Sequence, residues 1–518
     1  MSNSIKKIII VGGGTAGWLA AGLLAAEFKH AESSIEITLI ESPDVNTIGV
    51  GEGTWPSMRA TLRKIGISET ELVRECFVSF KQGSKFVGWR TGASDDVYHH
   101  PFSIPHGYAE SNLAAAWQAK FADHPFAEIV SSQFVVAEHG CAPKQVATPE
   151  YAGVLNYGYH LDAGKFAVIL QRHCTANLGV KHILDHVTKV VSADNGDIAA
   201  VDTKATGIIS GDLFIDCSGL SCLLLGQHFG VPFVDKKHLS LNDTALAMQV
   251  PYPEKNSPIE SCTVATAQSA GWTWDIGLSS RRGVGYVFSS GYISEEQAER
   301  ELRAHIAKSV GAAVADSLSS KKLSIRAGHR QEFWHKNCVA VGMSAGFIEP
   351  LEASALALVE LSMNMICEEF PVDRSAMSVV AKRFNEVFCY RWERIIDFLK
   401  LHYALTERRD SDYWRDMSSP EALPDRLREL LVLWKSRPPH RNDFIQVEEI
   451  FPSASYQYVL YGMGFKMDAS ALPRTSDNLP TALARIRETA EKTRKFLSGL
   501  PSNRALIDHV MLHGMPLI

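Results

Sequence analysis

The sequence predicts an α/β protein with a parallel sheet, followed by a mainly helical C-terminal region. Three observations carry this. Residues 8–11 are a short apolar run, a glycine-rich turn follows, residues 18–28 have helical composition, and a second apolar run spans 35–40. Strand, turn, helix and strand within forty residues imply a crossover between parallel neighbours. Further short apolar strands at 213–217 and 338–341 each run into small residues. Beyond residue 353 the spacing turns helical, with Val380, Phe384, Val387, Phe388, Trp392, Ile395 and Leu399 on one stripe.

The first turn reads Gly12-Gly13-Gly14-Thr15-Ala16-Gly17, which is G-x-G-x-x-G between a strand and a helix. Glycines at these positions permit a tight turn and let the backbone approach a pyrophosphate seated on the helix N-terminus. Glu41 ends the second strand, where an acid can bond ribose hydroxyls. Gly12, Gly14, Thr15, Ala16, Gly17 and Glu41 are therefore candidate dinucleotide ligands. A single fingerprint favours FAD over a nicotinamide nucleotide. So does Asp212-Leu213-Phe214-Ile215-Asp216-Cys217-Ser218-Gly219, which resembles a strand end of FAD-type Rossmann enzymes.

In the middle of the chain, residues 79–89 read as one strand and 163–178 as a helix. Residues 273–289 read as a strand pair turned at Arg281-Arg282-Gly283. Late in the chain, 481–499 read as a helix. With 518 residues the chain exceeds a single core. The expected division is 1–370, a cofactor-binding core, and 371–518, a helical region that completes the site.

Composition excludes several classes. Hydrophobic content is 46%, charged content 21%, and net charge −6, with no basic block, so nucleic acid is not an expected partner. No apolar run of about 18 residues suggests a membrane span, and the N-terminus lacks a signal-peptide pattern. The nine cysteines include no Cys-x-x-Cys, so neither a zinc site nor a disulfide framework is expected. A reducing cytoplasm fits.

Gly342-Met343-Ser344-Ala345-Gly346 matches the G-x-S-x-G of a nucleophile elbow, with Asp397 and His402 downstream in hydrolase order. The N-terminal fingerprint has no role in a hydrolase. In a flavin protein the small residues Gly342 and Gly346 would instead let backbone approach the cofactor. The segment continues as Phe347-Ile348-Glu349-Pro350-Leu351-Glu352-Ala353-Ser354-Ala355. Pro350 suits the first turn of a helix, which would place Glu352 in that turn beside free amides able to hold an anion.

Together these motifs resemble the flavin-dependent halogenases of the tryptophan-halogenase family over nearly the whole chain. Residues 48–56, Ile-Gly-Val-Gly-Glu-Gly-Thr-Trp-Pro, are similar to the family's loop beside the flavin. Phe80-Lys81 with Lys85-Phe86-Val87-Gly88-Trp89 is similar to the segment around its catalytic lysine. His100-Pro101-Phe102 resembles its His-x-Phe pocket element, and Leu399-Lys400-Leu401-His402-Tyr403 also resembles the family. Trp272-Thr273-Trp274-Asp275-Ile276 resembles its W-x-W-x-I signature, and 346–352 the segment with its catalytic glutamate.

The resemblance implies a glutathione-reductase-like flavin monooxygenase fold with an added sheet. It implies that reduced FAD, oxygen and halide, chloride or bromide, make hypohalous acid that halogenates an electron-rich aromatic. Reduced flavin would come from a separate NAD(P)H-dependent reductase, and a homodimer is expected. Gly51, Gly342, Gly346 and Leu351 would line the flavin, and the amides of Ser354 and Ala355 would hold the halide. His100, Phe102, Phe451 and Tyr456 would line the substrate pocket.

Lys81 and Glu352 are the implied catalytic pair. Lys81 and Lys85 share strand parity, so periodicity leaves both open; the resemblance selects Lys81. Trp272 and Trp274 share a strand face and read either as core or, by resemblance, as a wall between flavin and substrate.

Four departures narrow the substrate. Gly277 stands where the signature usually ends in Pro. Ala353-Ser354-Ala355 replaces Ser-Thr-Gly or Ser-Ser-Gly, and an alanine tolerates a positive φ at 355 less well than glycine. Phe451 and Tyr456 stand for an expected Phe-Trp pair, and no set of groups suits a free amino acid's carboxylate and ammonium. These departures point to a bare indole or another electron-rich aromatic rather than free tryptophan.

Overall fold

The computed structural model describes residues 4–29, 35–45, 51–468 and 478–517. The chain folds into two interleaved units. The first comprises Met1–Phe77, Leu161–Lys236 and Arg326–Trp392, the second Val78–His160, Lys237–Ile325 and Glu393–Ile518. The expected boundary at residue 370 falls inside the first unit, between the helices Ser354–Glu368 and Arg374–Ala404.

The first unit is built on a six-stranded sheet. Its order is Trp334–His335, Cys338–Ala340, Leu213–Asp216, Lys7–Val11, Glu36–Glu41 and Lys181–Leu184. All neighbours run parallel except the Trp334–His335 and Cys338–Ala340 pair. Lys7–Val11 is central and buried from Ile8 onward, which is why it reads as a continuous apolar run. Helix Thr15–Phe28 packs on Ala163–Asn177, Ser354–Glu368 and Met58–Ile65. The predicted helix at 163–178 forms as Ala163–Asn177.

The second unit holds a seven-stranded sheet. Its order is Lys321–Ser324, Thr244–Val250, Arg282–Phe288, Gly271–Gly277, Thr263–Gln268, Gly83–Val87 and Val97–Pro101. Helix Glu295–Val310 covers part of it by burying Ala298, Leu302 and Ile306 against Leu246, Met248, Tyr286 and Phe288. Helix Ser453–Gly462 packs on Val97–Pro101, and Leu479–Gly499 packs on three short helices between Leu113 and Glu138.

Two expectations are corrected in this unit. The strand pair does form at Gly271–Gly277 and Arg282–Phe288, but its turn spans 278–281, closed by Leu278 N–H donating to the carbonyl of Arg281 at 2.8 Å. Arg282 and Gly283 already belong to the second strand. The run 79–89 is not one strand. It breaks at Gln82 into Ser79–Lys81, paired with Gly158–Asp162, and Gly83–Val87, paired with Thr263–Gln268 and Val97–Pro101. Gly83 carries the break at φ +153°, and a Cβ there would lie 2.4 Å from the His100 carbonyl. The break also separates the two lysines: Lys81 is buried, whereas Lys85 pairs with Glu138 at 2.7 Å.

Candidate functional site: a dinucleotide cradle, a strained acidic turn and a lysine against an aromatic ring

The glycine turn is required by the fold at one position and left open at another. Gly12 has φ +119°, and a Cβ on it would lie 2.1 Å from the Cys217 carbonyl, so only glycine fits. Gly14 has nothing within 4 Å of where its Cβ would stand. It is the N-cap of Thr15–Phe28, and no side chain caps that helix. Open space before uncapped amides suits a pyrophosphate. Gly17 packs onto the Gly12 carbonyl, and Thr15 and Ala16 begin the helix. Gly342, at φ +71°, lies against Ala16, whereas Gly346 is small because strand Gly328–Arg330 crosses it.

Glu41 ends its strand, and its Oε2 lies 2.9 Å from Nε2 of His182. The other ring nitrogen of His182 contacts Gln171 at 3.2 Å, and Trp18 meets the ring edge-on. His182 and Gln171 escaped the sequence reading because they lie in a different βα segment. Residues 48–50 of the flavin-loop resemblance lie outside the described residues. Gly51 is buried in strand Gly51–Gly53, and burial beside the Asp162 charge pushes the Glu52 carboxyl up to about 7.

Ser344 is no hydrolase nucleophile. It is buried, and its hydroxyl is bonded to the Asp216 carboxylate and the Gly219 carbonyl, both at 3.1 Å. Asp216 also accepts from the amides of Ser218, Leu224 and Leu225. Asp397 is held by Arg426 and Arg394, and His402 by the Tyr98 hydroxyl at 2.7 Å.

The acidic segment departs from expectation. The helix begins at Ser354, with Ala353 as its N-cap, so neither Pro350 nor Glu352 lies in its first turn. Instead the Ala353 amide closes a turn onto the Pro350 carbonyl at 3.0 Å. Glu352 and Ala353 are successive left-handed residues, at φ +68° and +54°. Positive φ thus falls two residues before Ala355. Each such residue costs about 1–2 kcal/mol and persists only where surroundings over-determine it. One restraint is Trp55, whose indole N–H donates to the Glu352 carbonyl at 2.7 Å. The Glu352 side chain is buried, as is Leu351, and no side chain caps the amides that follow at Ser354 and Ala355.

Lys81 is 1% exposed, and its Nζ stands 5.3 Å from the centroid of the Phe102 ring. Opposite it in the strand pair is Gly158, which brings no side chain, and opposite Ser79 is His160. His160 is fully buried; burial first, and the Lys81 charge second, push its pKa well below the usual histidine range. Its Nε2 contacts the Thr263 hydroxyl at 2.8 Å and its Nδ1 faces the Ser79 hydroxyl, which itself donates to the Gly277 carbonyl. A neutral imidazole fits this chain, with Nδ1–H toward Ser79 and Nε2 accepting from Thr263.

The other expected pocket residues lie in the same unit. His100 has its ring 5.5 Å from Phe398, 6.4 Å from Phe451 and 6.2 Å from Tyr458. Phe398 and Phe451 stack at 3.8 Å, and Tyr456 meets Phe398 edge-on at 4.9 Å. Phe398 and Tyr458 were missed: their signals, one aromatic beside a core stripe and one in a Tyr-rich helix, look like ordinary packing. Trp272 and Trp274 share a face of Gly271–Gly277. Trp272 lies 6.2 Å from Trp89, and Trp274 covers Gly285.

The parallel sheet, the open glycine turn before an uncapped helix and the strand end at Asp216 are the frame of an FAD-type dinucleotide-binding enzyme. Comparison with known proteins agrees. The tryptophan-halogenase family model matches residues 7–478. The tryptophan 7-halogenase RebH of Lentzea aerocolonigenes is 32% identical, over 97% of this chain and 98% of that one. The tryptophan halogenase of Shewanella frigidimarina NCIMB 400 has a solved structure that superimposes with a TM-score of 0.95 at 48% identity, over 99% of both chains. BrvH, a flavin-dependent halogenase from Brevundimonas sp. BAL3, superimposes at 0.84 with 30% identity, over 98% of this chain and 99% of that one. The chain belongs to the tryptophan-halogenase family of flavin-dependent halogenases.

Proposed function

We propose that this FAD-dependent halogenase acts on a small, uncharged, electron-rich aromatic of the indole class rather than on free tryptophan. The observation that carries the reading is the aromatic group of His100, Phe398, Phe451, Tyr456 and Tyr458, an apolar surface for a flat ring. The cations beside it, buried Arg394 and half-buried Arg426, are already committed to Asp397 at 3.2 and 2.9 Å, which leaves them poor hosts for an amino-acid carboxylate.

Gly12, Gly14, Thr15, Ala16, Gly17 and Glu41 are assigned to FAD, with Gly51, Gly342, Gly346 and Leu351 beside it. Bound and reduced, FAD supplies with oxygen the two-electron oxidation that turns halide into hypohalous acid. The amides of Ser354 and Ala355 are assigned to the halide, since amides hold anions without side-chain help. Lys81 donates a hydrogen bond to the hypohalous acid or carries its halogen, presenting it to the ring. The ring carbon attacks the halogen as the oxygen–halogen bond breaks; the Lys81 ammonium gives a proton to the departing hydroxide, which leaves as water, and Glu352 takes the ring proton and returns it through solvent to Lys81, so that arene and hypohalous acid yield aryl halide and water. Trp272 and Trp274 are assigned to the wall that keeps the arene from the flavin. Reduced flavin comes from a separate reductase; a cytoplasmic homodimer is part of this reading, and nine free cysteines agree with a reducing compartment.

A substrate panel tests it. Indole, tryptamine and tryptophan are supplied with reduced FAD, oxygen and either bromide or chloride, and products are read by isotope pattern in mass spectrometry. Halogenated indole as the main product is expected; faster turnover of tryptophan than of indole would overturn the substrate reading.

A further inference from the structure

Trp55 and Glu352 lie 297 positions apart in the chain, yet the indole N–H of one meets the carbonyl of the other at 2.7 Å. The bond falls where the backbone needs it most, at the first of two successive left-handed residues. A carbonyl at such a corner has left the ladder of any regular element, and its direction decides how the chain enters the next one.

Two consequences follow from that corner. It sets the direction in which the Glu352 side chain leaves the backbone. It also sets the orientation of the uncapped amides of Ser354 and Ala355, which open helix Ser354–Glu368. The rest of the segment around Trp55 is fastened to the same helix. Ser57 and Thr61 donate their hydroxyls to the two carboxylate oxygens of Glu360, at 2.9 and 2.5 Å. The helix is therefore gripped in its second turn by Ser57 and Thr61 and held at its entry by Trp55. Glu360 fixes the helix body, and Trp55 reaches the turn that carries the carboxylate.

We infer that Trp55 is a positioning residue for halogenation: its indole N–H holds the Glu352 turn, and so aligns both the proton acceptor and the amides that face the halide. The inference rests on the assignment of Glu352 as the base. Phenylalanine or isoleucine at this position would pack a side chain without a donor. The carbonyl would then lose its partner, and the turn would relax toward ordinary backbone angles. The expected kinetic pattern is specific. Turnover falls and the KM for halide rises, because both the base and the amides move, while the KM for the aromatic stays unchanged.

The test uses two variants of the full chain, each checked for FAD content and melting temperature. Trp55→Phe removes the N–H and some ring area. Trp55→3-benzothienylalanine, introduced at the one codon, keeps the bicyclic shape and removes only the donor. Both are expected to lower kcat about tenfold and to raise the KM for bromide severalfold, the size of one lost hydrogen bond at a reacting group. Wild-type kcat and bromide KM in the benzothienylalanine protein, with Glu352→Gln impaired, would overturn the positioning role alone. Wild-type turnover in Glu352→Gln would instead remove the base assignment on which it stands. A rise in the KM for the aromatic equal to that for bromide would also overturn it, since that pattern reports general loosening.

Discussion

The ammonium of Lys81 stands 5.3 Å from the centre of the Phe102 ring, in a strand whose opposite residue is Gly158. The ring offers its negative face to the cation. Lys81→Ala is therefore expected to abolish halogenation, by at least about a hundredfold, while FAD affinity stays within about twofold. Product yield and flavin fluorescence quenching measure the two. Lys85→Ala, which breaks the pair with Glu138, is expected to leave turnover nearly unchanged.

Gly12 and Gly14 make opposite predictions. Gly12→Ala would force a Cβ into the Cys217 carbonyl at a left-handed position, and loss of soluble protein or a large fall in melting temperature is expected. Gly14 has open space and an ordinary φ of −73°. Gly14→Ala should leave the melting temperature of the flavin-free protein unchanged yet weaken FAD binding, by about tenfold or more, because the methyl enters the space assigned to pyrophosphate. Titration of FAD by fluorescence checks this.

Burial pushes the carboxyl of Glu360 up to about 7 from 4.5, against the help of Thr61 and Ser57. Its folded form holds a proton that the unfolded chain releases. The stability linked to it is complete below pH 4.5 and is lost as pH rises through 7, a cost of up to about 3 kcal/mol. Glu360→Gln keeps two polar atoms for the hydroxyls and removes that cost. The variant should melt higher than the parent at pH 8, with the advantage gone at pH 5.

His160 acts in the opposite direction. Its pKa lies well below 6.5, so the unfolded chain takes up a proton that the folded imidazole refuses, and stability falls as pH drops below 6.5. His160→Gln should flatten the acid limb of the melting profile measured between pH 7 and 5.

Phe398 and Phe451 stack at 3.8 Å beside His100. Phe451→Ala is expected to cost about 3–5 kcal/mol of stability as a buried ring is removed. It should also raise the KM for indole about tenfold while admitting bulkier arenes. Equal KM for indole in parent and variant would separate this ring from the substrate site.

Much of the fold was legible in the sequence because its signals are local. The turn Gly12–Gly17, the buried strand before it and the helix after it form one continuous segment, Lys7–Phe28, whose pattern is read from its own residues. The stripe from Val380 to Leu399 likewise became a helix because 3.6-residue periodicity is a property of the chain itself. The helix start near Glu352 was misread for a related reason: Pro350 favours an N-terminus by its own stereochemistry, but the turn was decided by a partner elsewhere.

What the sequence by itself determined is the dinucleotide fold, the family, and the residue types available for chemistry. What only the tertiary structure decided is which of them are held, and how. The break at Gln82 buries Lys81 and sends Lys85 to Glu138. Trp55 reaches Glu352 across 297 positions, and Phe398, beside the core stripe, stacks on Phe451. Backbone angles and periodicity are encoded within a few residues. Hydrogen bonds and ring contacts depend instead on the path of the whole chain, which brings distant segments to within 3–4 Å of each other.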